Sequence, residues 1–208
     1  MFFEFLKLNY KENEPIFISE IQYKNLNMNA IRQQILNLTN KNLLIRYDTG
    51  IYFIPGNSIF KSSNTLNQNK IIEKKYISNN DEVIGYFSGL NFANRIGLTT
   101  QVPNLYEVVS NKATCDYREI KIGTTKVILR KPRTVITIEN HLELQFLDMI
   151  KEIDNLSFLD KDENKKIVLN YMNKAKISFE KLQKLLEFYP DKIYKNLYQV
   201  GVLNGVSA

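Results

Sequence analysis

A chain of 208 residues that is 44% hydrophobic and 12% aromatic belongs with folded rather than disordered proteins and is long enough for one large domain or two to three small ones. Its net charge of +6 and isoelectric point near 9.2 favour an anionic partner. A single cysteine, Cys115, and a single histidine, His141, exclude an intrachain disulfide and any multi-cysteine zinc site.

A Ser/His/Asp triad would have to use His141, and the sequence contains neither a nucleophile elbow nor a glycine loop built to cradle phosphate. Cys115 is therefore expected as a packed thiol and His141 as an ordinary polar position, in a protein without catalysis, cofactor or metal. No apolar run approaches the roughly 20 residues that cross a bilayer. The opening MFFEFLKLNYKENE lacks the basic start and small-residue cleavage site of a signal peptide. A cytoplasmic protein with no membrane partner is expected.

In chain order, Phe2, Phe5 and Leu6 supply a first helix. A short helix near Ser19 to Tyr23 follows, then a turn through Lys24 to Asn27 and a longer helix from about Met28 to Asn40. Ile31, Ile35 and Leu38 fall four and three apart and share a buried face of the longer helix, which points Asn29, Arg32, Gln33 and Asn37 away from it. IRYDTGIYFIP at residues 45–55 is then a strand, a tight turn at Asp48 to Gly50 and a second strand. Two strands alone are marginal in water and must lean on the helices. Three helices followed by a two-stranded wing is the layout of a winged helix-turn-helix.

Pro55 and Gly56 close this segment, so residues 1–56 form the first predicted domain and the polar, turn-rich residues 57–69 a linker. Residues 70–208 form a second domain, with an α+β part at 70–138 and a helical part at 139–208. In it, a helix near residues 70–78 precedes GYFSG at Gly85 to Gly89, which reads as a turn entering a helix capped by Ser88 and stopped by Gly97. LYEVVSN, REIKIG and KVILRKP read as strands of a small antiparallel sheet, the last two joined by a hairpin at Gly123 to Thr125. Four segments from His141 onwards, beginning HLELQFLDMIKEI, ENKKIVLNYMNKA, SFEKLQKLLEFYP and DKIYKNLYQVGVL, have helical spacing, with Ser178 as an N-cap and Pro190 opening the last. The fold class is α+β.

A recognition helix aims its N-terminal side chains at base edges in the major groove, where arginine reads guanine and Asn or Gln reads adenine. Asn29, Arg32 and Gln33 carry that expectation, with Gln34 and Asn37 beside them. Arg46, Tyr47 and Thr49 around the wing turn would meet the DNA backbone or minor groove. Residues 1–60 hold six basic against five acidic side chains, residues 61–140 twelve against seven, and residues 141–208 ten against ten. Non-specific DNA affinity comes mainly from neutralising phosphates, so a nearly neutral reader needs a dimer, cooperative neighbours or the basic middle of the chain. There Arg118, Lys121, Lys126, Arg130, Lys131 and Arg133 lie on or beside the predicted hairpin. Alternation puts Lys126 and Arg130 on one strand face and Val127 and Leu129 on the other. Such a surface suits phosphates or an acidic protein, and it equally suits an ordinary solvated strand.

The N-terminal pattern ending in GIYFIP, together with GLTTQVPNLYEVVSN, REIKIG and VILRKPRT, resembles the AbiEi-type antitoxins of type IV toxin–antitoxin systems, first associated with abortive phage infection. The resemblance implies a bacterial antitoxin and transcriptional repressor of its own operon. Its winged helix would bind inverted repeats in promoter DNA, and the rest of the chain would counteract a nucleotidyltransferase-like toxin, with or without direct contact. By position it places the reading helix on Asn29, Arg32 and Gln33 and the wing on Arg46 to Phe53. Two other readings stand beside it: a winged-helix module that docks a protein or regulates transcription without antitoxin activity, and an enzyme acting on nucleotides, for which the linear sequence offers no carboxylate cluster.

Overall fold

The computed structural model describes residues 1–56, 66–79, 82–157 and 159–203. They fall into two compact units, one of residues 1–74 with 122–124 and the other of residues 75–121 with 125 onwards. Of the expected linker, residues 57–65 lie outside the described residues. The remainder leads into helix α3 (Gln68–Ile72), which belongs to the first unit. The division falls at Lys74, within a π-helical turn, Glu73–Ile77.

The first unit runs α1 (Phe2–Asn9), β1 (Ile16–Phe17), a 3-10 turn (Ile18–Glu20), α2 (Met28–Asn40), β2 (Ile45–Asp48) and β3 (Ile51–Phe53) before α3. The short helix expected near Ser19 to Tyr23 is only that 3-10 turn. β1, two residues long, was not anticipated. It pairs antiparallel with β3, Ile16 opposite Tyr52, and makes the wing part of a three-stranded sheet ordered β1-β3-β2. Helix, strand, turn, helix and hairpin in this order are compatible with a winged helix-turn-helix.

The hairpin leans on a core of Phe2, Leu6, Ile16, Ile31, Ile35, Leu44 and Ile54. Tyr23 closes its rim against Phe5 and Phe2, at ring separations of 4.9 and 5.1 Å. Although α1 has only eight residues, it contributes Phe2 and Leu6 to this core, so packing rather than length holds it.

Both ends of α2 are fixed locally. The Asn27 side chain accepts the Ala30 N–H at 2.9 Å, satisfying a donor that the first turn leaves open. At the other end Asn42 turns left-handed at φ +55°, and the Leu43 N–H returns to the Leu38 carbonyl at 3.0 Å. That is a Schellman stop with asparagine where glycine is usual.

The second unit contains a short pair, β4 (Ser78–Asn79) and β5 (Glu82–Val83), then β6 (Gly85–Ser88), α4 (Gly89–Arg95), β7 (Tyr106–Ser110), β8 (Arg118–Ile122) and β9 (Thr125–Arg130). Most of GYFSG is therefore strand β6 rather than a turn. Ser88 does occupy the N-cap position of α4, but its side chain makes no capping bond. The sheet order is β6-β7-β9-β8. β6 pairs antiparallel with β7, while β7 and β9 are parallel with Val108 opposite Leu129, so the sheet is mixed and not antiparallel as expected. After β7 the chain lays β8 on the outside, and the turn at Gly123 (φ +59°) folds β9 back into the slot between them.

Behind the sheet come α5 (His141–Lys151), α6 (Ile153–Leu156), α7 (Lys161–Lys174), α8 (Phe179–Gln183), a 3-10 turn (Leu186–Phe188) and α9 (Lys192–Gln199). α5 is the centre of the packing, with Leu144, Phe146, Leu147, Met149 and Ile150 all buried. A helix apolar around most of its girth has to be enclosed. Asn196 Nδ2 donates to the Ile150 carbonyl at 2.8 Å, supplying a partner where α5 runs out of its own.

The stretch expected as one helix from Ser178 is broken. Ser178 caps α8 as expected by accepting the Lys181 N–H at 3.3 Å, but the chain then tightens into the 3-10 turn. Three residues per turn bring the buried Leu186 and Tyr189 into line. Pro190 precedes the N-cap, Asp191, instead of opening α9.

Candidate functional site

On α2, Ile31 and Ile35 face the core with Leu38 half-buried, and Asn29, Arg32, Gln33, Gln34 and Asn37 are exposed. At 100° per residue, Asn29, Arg32, Gln33 and Asn37 share one flank, whereas Gln34 lies round the helix from it. Arg32 Nη1 donates to Asn29 Oδ1 at 3.3 Å, so these two side chains already brace each other. Leu36, 51% exposed, sits among them, three residues after Gln33 and four after Arg32. Sequence reasoning overlooked it, although the spacing that buries Ile31 and Ile35 sends position 36 outward. An apolar side chain here suits a thymine methyl group or a partner's apolar surface.

The wing is less open than the sequence suggests. A bulge between Arg46 and Asp48 leaves Tyr47 without a strand partner, as a bulge does to its extra residue. The half-buried Tyr47 lies with its ring close against Gly123, whose N–H donates to Asp48 Oδ2 at 2.9 Å. Arg46 and Thr49 are exposed. The Arg46 guanidinium bends back to the Asp48 carbonyl and Thr49 Oγ1, both at 3.4 Å.

The six basic residues of the second unit divide. Arg118, Lys121 and Lys126 are exposed on β8 and β9, and the expected alternation holds in β9, with Val127 and Leu129 buried. Arg130, Lys131 and Arg133 instead line a cleft of about 760 Å³ between the sheet and the α5–α6 segment. Strand register places Tyr86, Val109 and Arg130 side by side across three strands.

At the cleft's inner end Asp148 accepts hydrogen bonds from the Tyr86 hydroxyl at 2.7 Å and the Tyr189 hydroxyl at 3.1 Å. Arg133 Nε lies 3.8 Å from its carboxylate. Arg133 also stacks over the Tyr189 ring at 4.8 Å and donates to the Phe188 carbonyl at 3.0 Å. Burial pushes the Asp148 carboxyl above its usual range, against the pull of both tyrosine hydroxyls and Arg133. Burial, followed by the Asp148 charge, lifts both phenols well above the ordinary tyrosine range. Sequence reasoning missed this cluster.

The isolated residues sit elsewhere. Cys115 is exposed, not packed as expected, and His141 opens α5 with Nδ1 3.0 Å from the Ile138 carbonyl. Among the described residues no group of three or more His, Cys, Asp or Glu side chains is placed to hold a metal ion, and no helix is long and apolar enough to cross a membrane.

Fold and sites together define an α+β protein of two units, one presenting an exposed amide-rich helix and the other enclosing a charged cleft. The chain belongs to DUF6088, a family of unknown function, whose model matches residues 7–178. No curated protein matches it.

Proposed function

We propose that the protein is a cytoplasmic DNA-binding repressor without catalysis, which reads duplex DNA through α2 and serves as the antitoxin opposite a nucleotidyltransferase-like toxin. The observation that carries the DNA reading is the solvent-facing flank of Asn29, Arg32, Gln33 and Asn37, on a helix whose opposite face is sealed into the core beside the three-stranded sheet. Amide and guanidinium groups in such a row match the donor and acceptor edges of adenine and guanine in the major groove. Arg46 and Thr49 on the wing suit phosphate. The antitoxin part rests on the resemblance of GIYFIP, GLTTQVPN and the basic strand pair. It would add a toxin as functional partner, and inverted repeats would call for a homodimer or cooperative binding.

The test is a mobility shift with the gene's own promoter at low salt. Arg32→Ala should cost about 1 to 3 kcal/mol of binding and relax base preference at one position. Unchanged affinity would remove α2 as the reader. Toxicity of a neighbouring nucleotidyltransferase-like gene, relieved by this chain, would test the antitoxin role.

A second reading, a protein-docking module, is favoured by Leu36 together with exposed Leu26, Met28, Leu43 and Ile45 in the same unit. It predicts no shift with promoter DNA at any salt, and a co-purifying partner that is lost in Leu36→Asp.

A further inference from the structure

We propose that the cleft of the second unit binds a small phosphate monoester carried on a hydroxyl-bearing sugar. The proposal does not rest on the DNA reading, since it concerns other residues and another measurement. At about 760 Å³ the cleft has the size of a small-molecule site.

Its charges fall into two sets. In the inner set each group already has a partner, with Asp148 holding Tyr86, Tyr189 and Arg133, and Lys151 paired with Glu152 at 2.9 Å. The outer set is Arg130, Lys131 and Asp116. Lys131 and Asp116 have no ion pair or hydrogen bond among the described residues. Arg130 meets Glu107 by one contact, Nη2 to Oε2 at 3.5 Å, and its flat face rests over Tyr117 at 5.3 Å. A guanidinium has five N–H donors, so this fork is held in place with donors to spare.

The anion follows from what is already there. The Glu107 carboxylate crowds the backbone at Gly89, so closely that a Cβ there would overlap it, and it already supplies Arg130 with one negative charge. A carboxylate ligand would gain nothing by replacing it. A dianionic phosphate can instead bridge Arg130 and Lys131 while Glu107 stays. Asp116, an acceptor without a donor, suits the hydroxyls of a sugar. Four basic side chains, Arg130, Lys131, Arg133 and Lys151, face four acidic ones, Glu107, Asp116, Asp148 and Glu152, on the wall, so the cleft has no excess of positive charge to hold an extended polyanion such as nucleic acid.

The experiment is calorimetric titration of the full chain with AMP, ribose 5-phosphate and inorganic phosphate at low ionic strength. Saturable binding of either ester, at least about tenfold tighter than inorganic phosphate, is expected. The stronger of the two esters identifies the source as nucleotide or simple sugar. Lys131→Gln, at an exposed position that leaves the fold intact, should weaken ester binding about tenfold, and Arg130→Gln at least as much. Asp116→Asn should erase the preference for ester over inorganic phosphate. Glu107→Gln should tighten binding by about threefold or more, because it removes the anion that competes for Arg130. No heat with either ester at about 10 mM, equal affinity for inorganic phosphate, or indifference to Lys131→Gln would each overturn the proposal.

Discussion

On α2 the hydrogen-bonding side chains stand in solvent with only the Arg32 to Asn29 bond between them, whereas in the second unit Asp148 alone takes up two tyrosine hydroxyls and an arginine. Water satisfies the first group, so those residues cost the fold little and remain available. The second group has used its capacity inside the protein, where an unmatched polar atom would be expensive. Recognition and stability should therefore separate by mutation: the exposed flank can be changed without unfolding, and the buried cluster cannot.

The largest expected effects test that separation. Phe146→Ala in the second unit should cost about 3–5 kcal/mol and Ile35→Ala in the first about 2–5 kcal/mol, read from urea unfolding. Arg32→Ala should stay within about 0.5 kcal/mol of the parent in the same assay, while the proposed DNA binding weakens. If Arg32→Ala destabilises as much as Ile35→Ala, the flank is structural and the contrast fails.

Next comes Asp148. Asp148→Ala leaves the Tyr86 hydroxyl buried without its acceptor, at about 1–3 kcal/mol, while the Tyr189 hydroxyl keeps the Leu144 carbonyl at 3.2 Å. The same residue gives a pH signature. Its folded carboxyl is shifted upward, mainly by burial, so between the ordinary carboxylate range and its raised value the folded state holds a proton that the unfolded chain has released. Stability from this group is therefore highest at low pH and falls as pH rises through that window. The parent should show this fall relative to Asp148→Asn, and parallel stability profiles for the two would refute it. The smallest effect is Asn27→Ala, about 1 kcal/mol for the lost cap of α2, seen as a lower melting temperature and slightly weaker DNA binding.

What could be read from the sequence was local. α2 lies at the expected residues because its apolar spacing and its exposed flank are written within the segment itself; its caps at Asn27 and Asn42 are equally local but went unread. The β2–β3 hairpin and strands β7, β8 and β9 were legible for the same reason. β1 was not, since two residues carry no period and its status comes from pairing with β3 some 35 positions later. The parallel pairing of β7 with β9 depends on where β8 is placed, which alternation does not encode. The Tyr86, Arg133, Asp148 and Tyr189 cluster draws on four distant stretches, each unremarkable alone. The break after α8 goes with the burial of Tyr189 just beyond the 3-10 turn, while the apolar spacing there still reads as helix.

The position of β8 at the outer margin of its sheet has a consequence for life in a crowded cell. Among the described residues no strand pairs with its outer side, and an open margin can template a loose strand. Arg118, Glu119 and Lys121 stand exposed along it, so an intruding strand would have to strip water from three charges in five residues. The same lysine and arginine that looked like a docking surface thus also act as a guard against self-association.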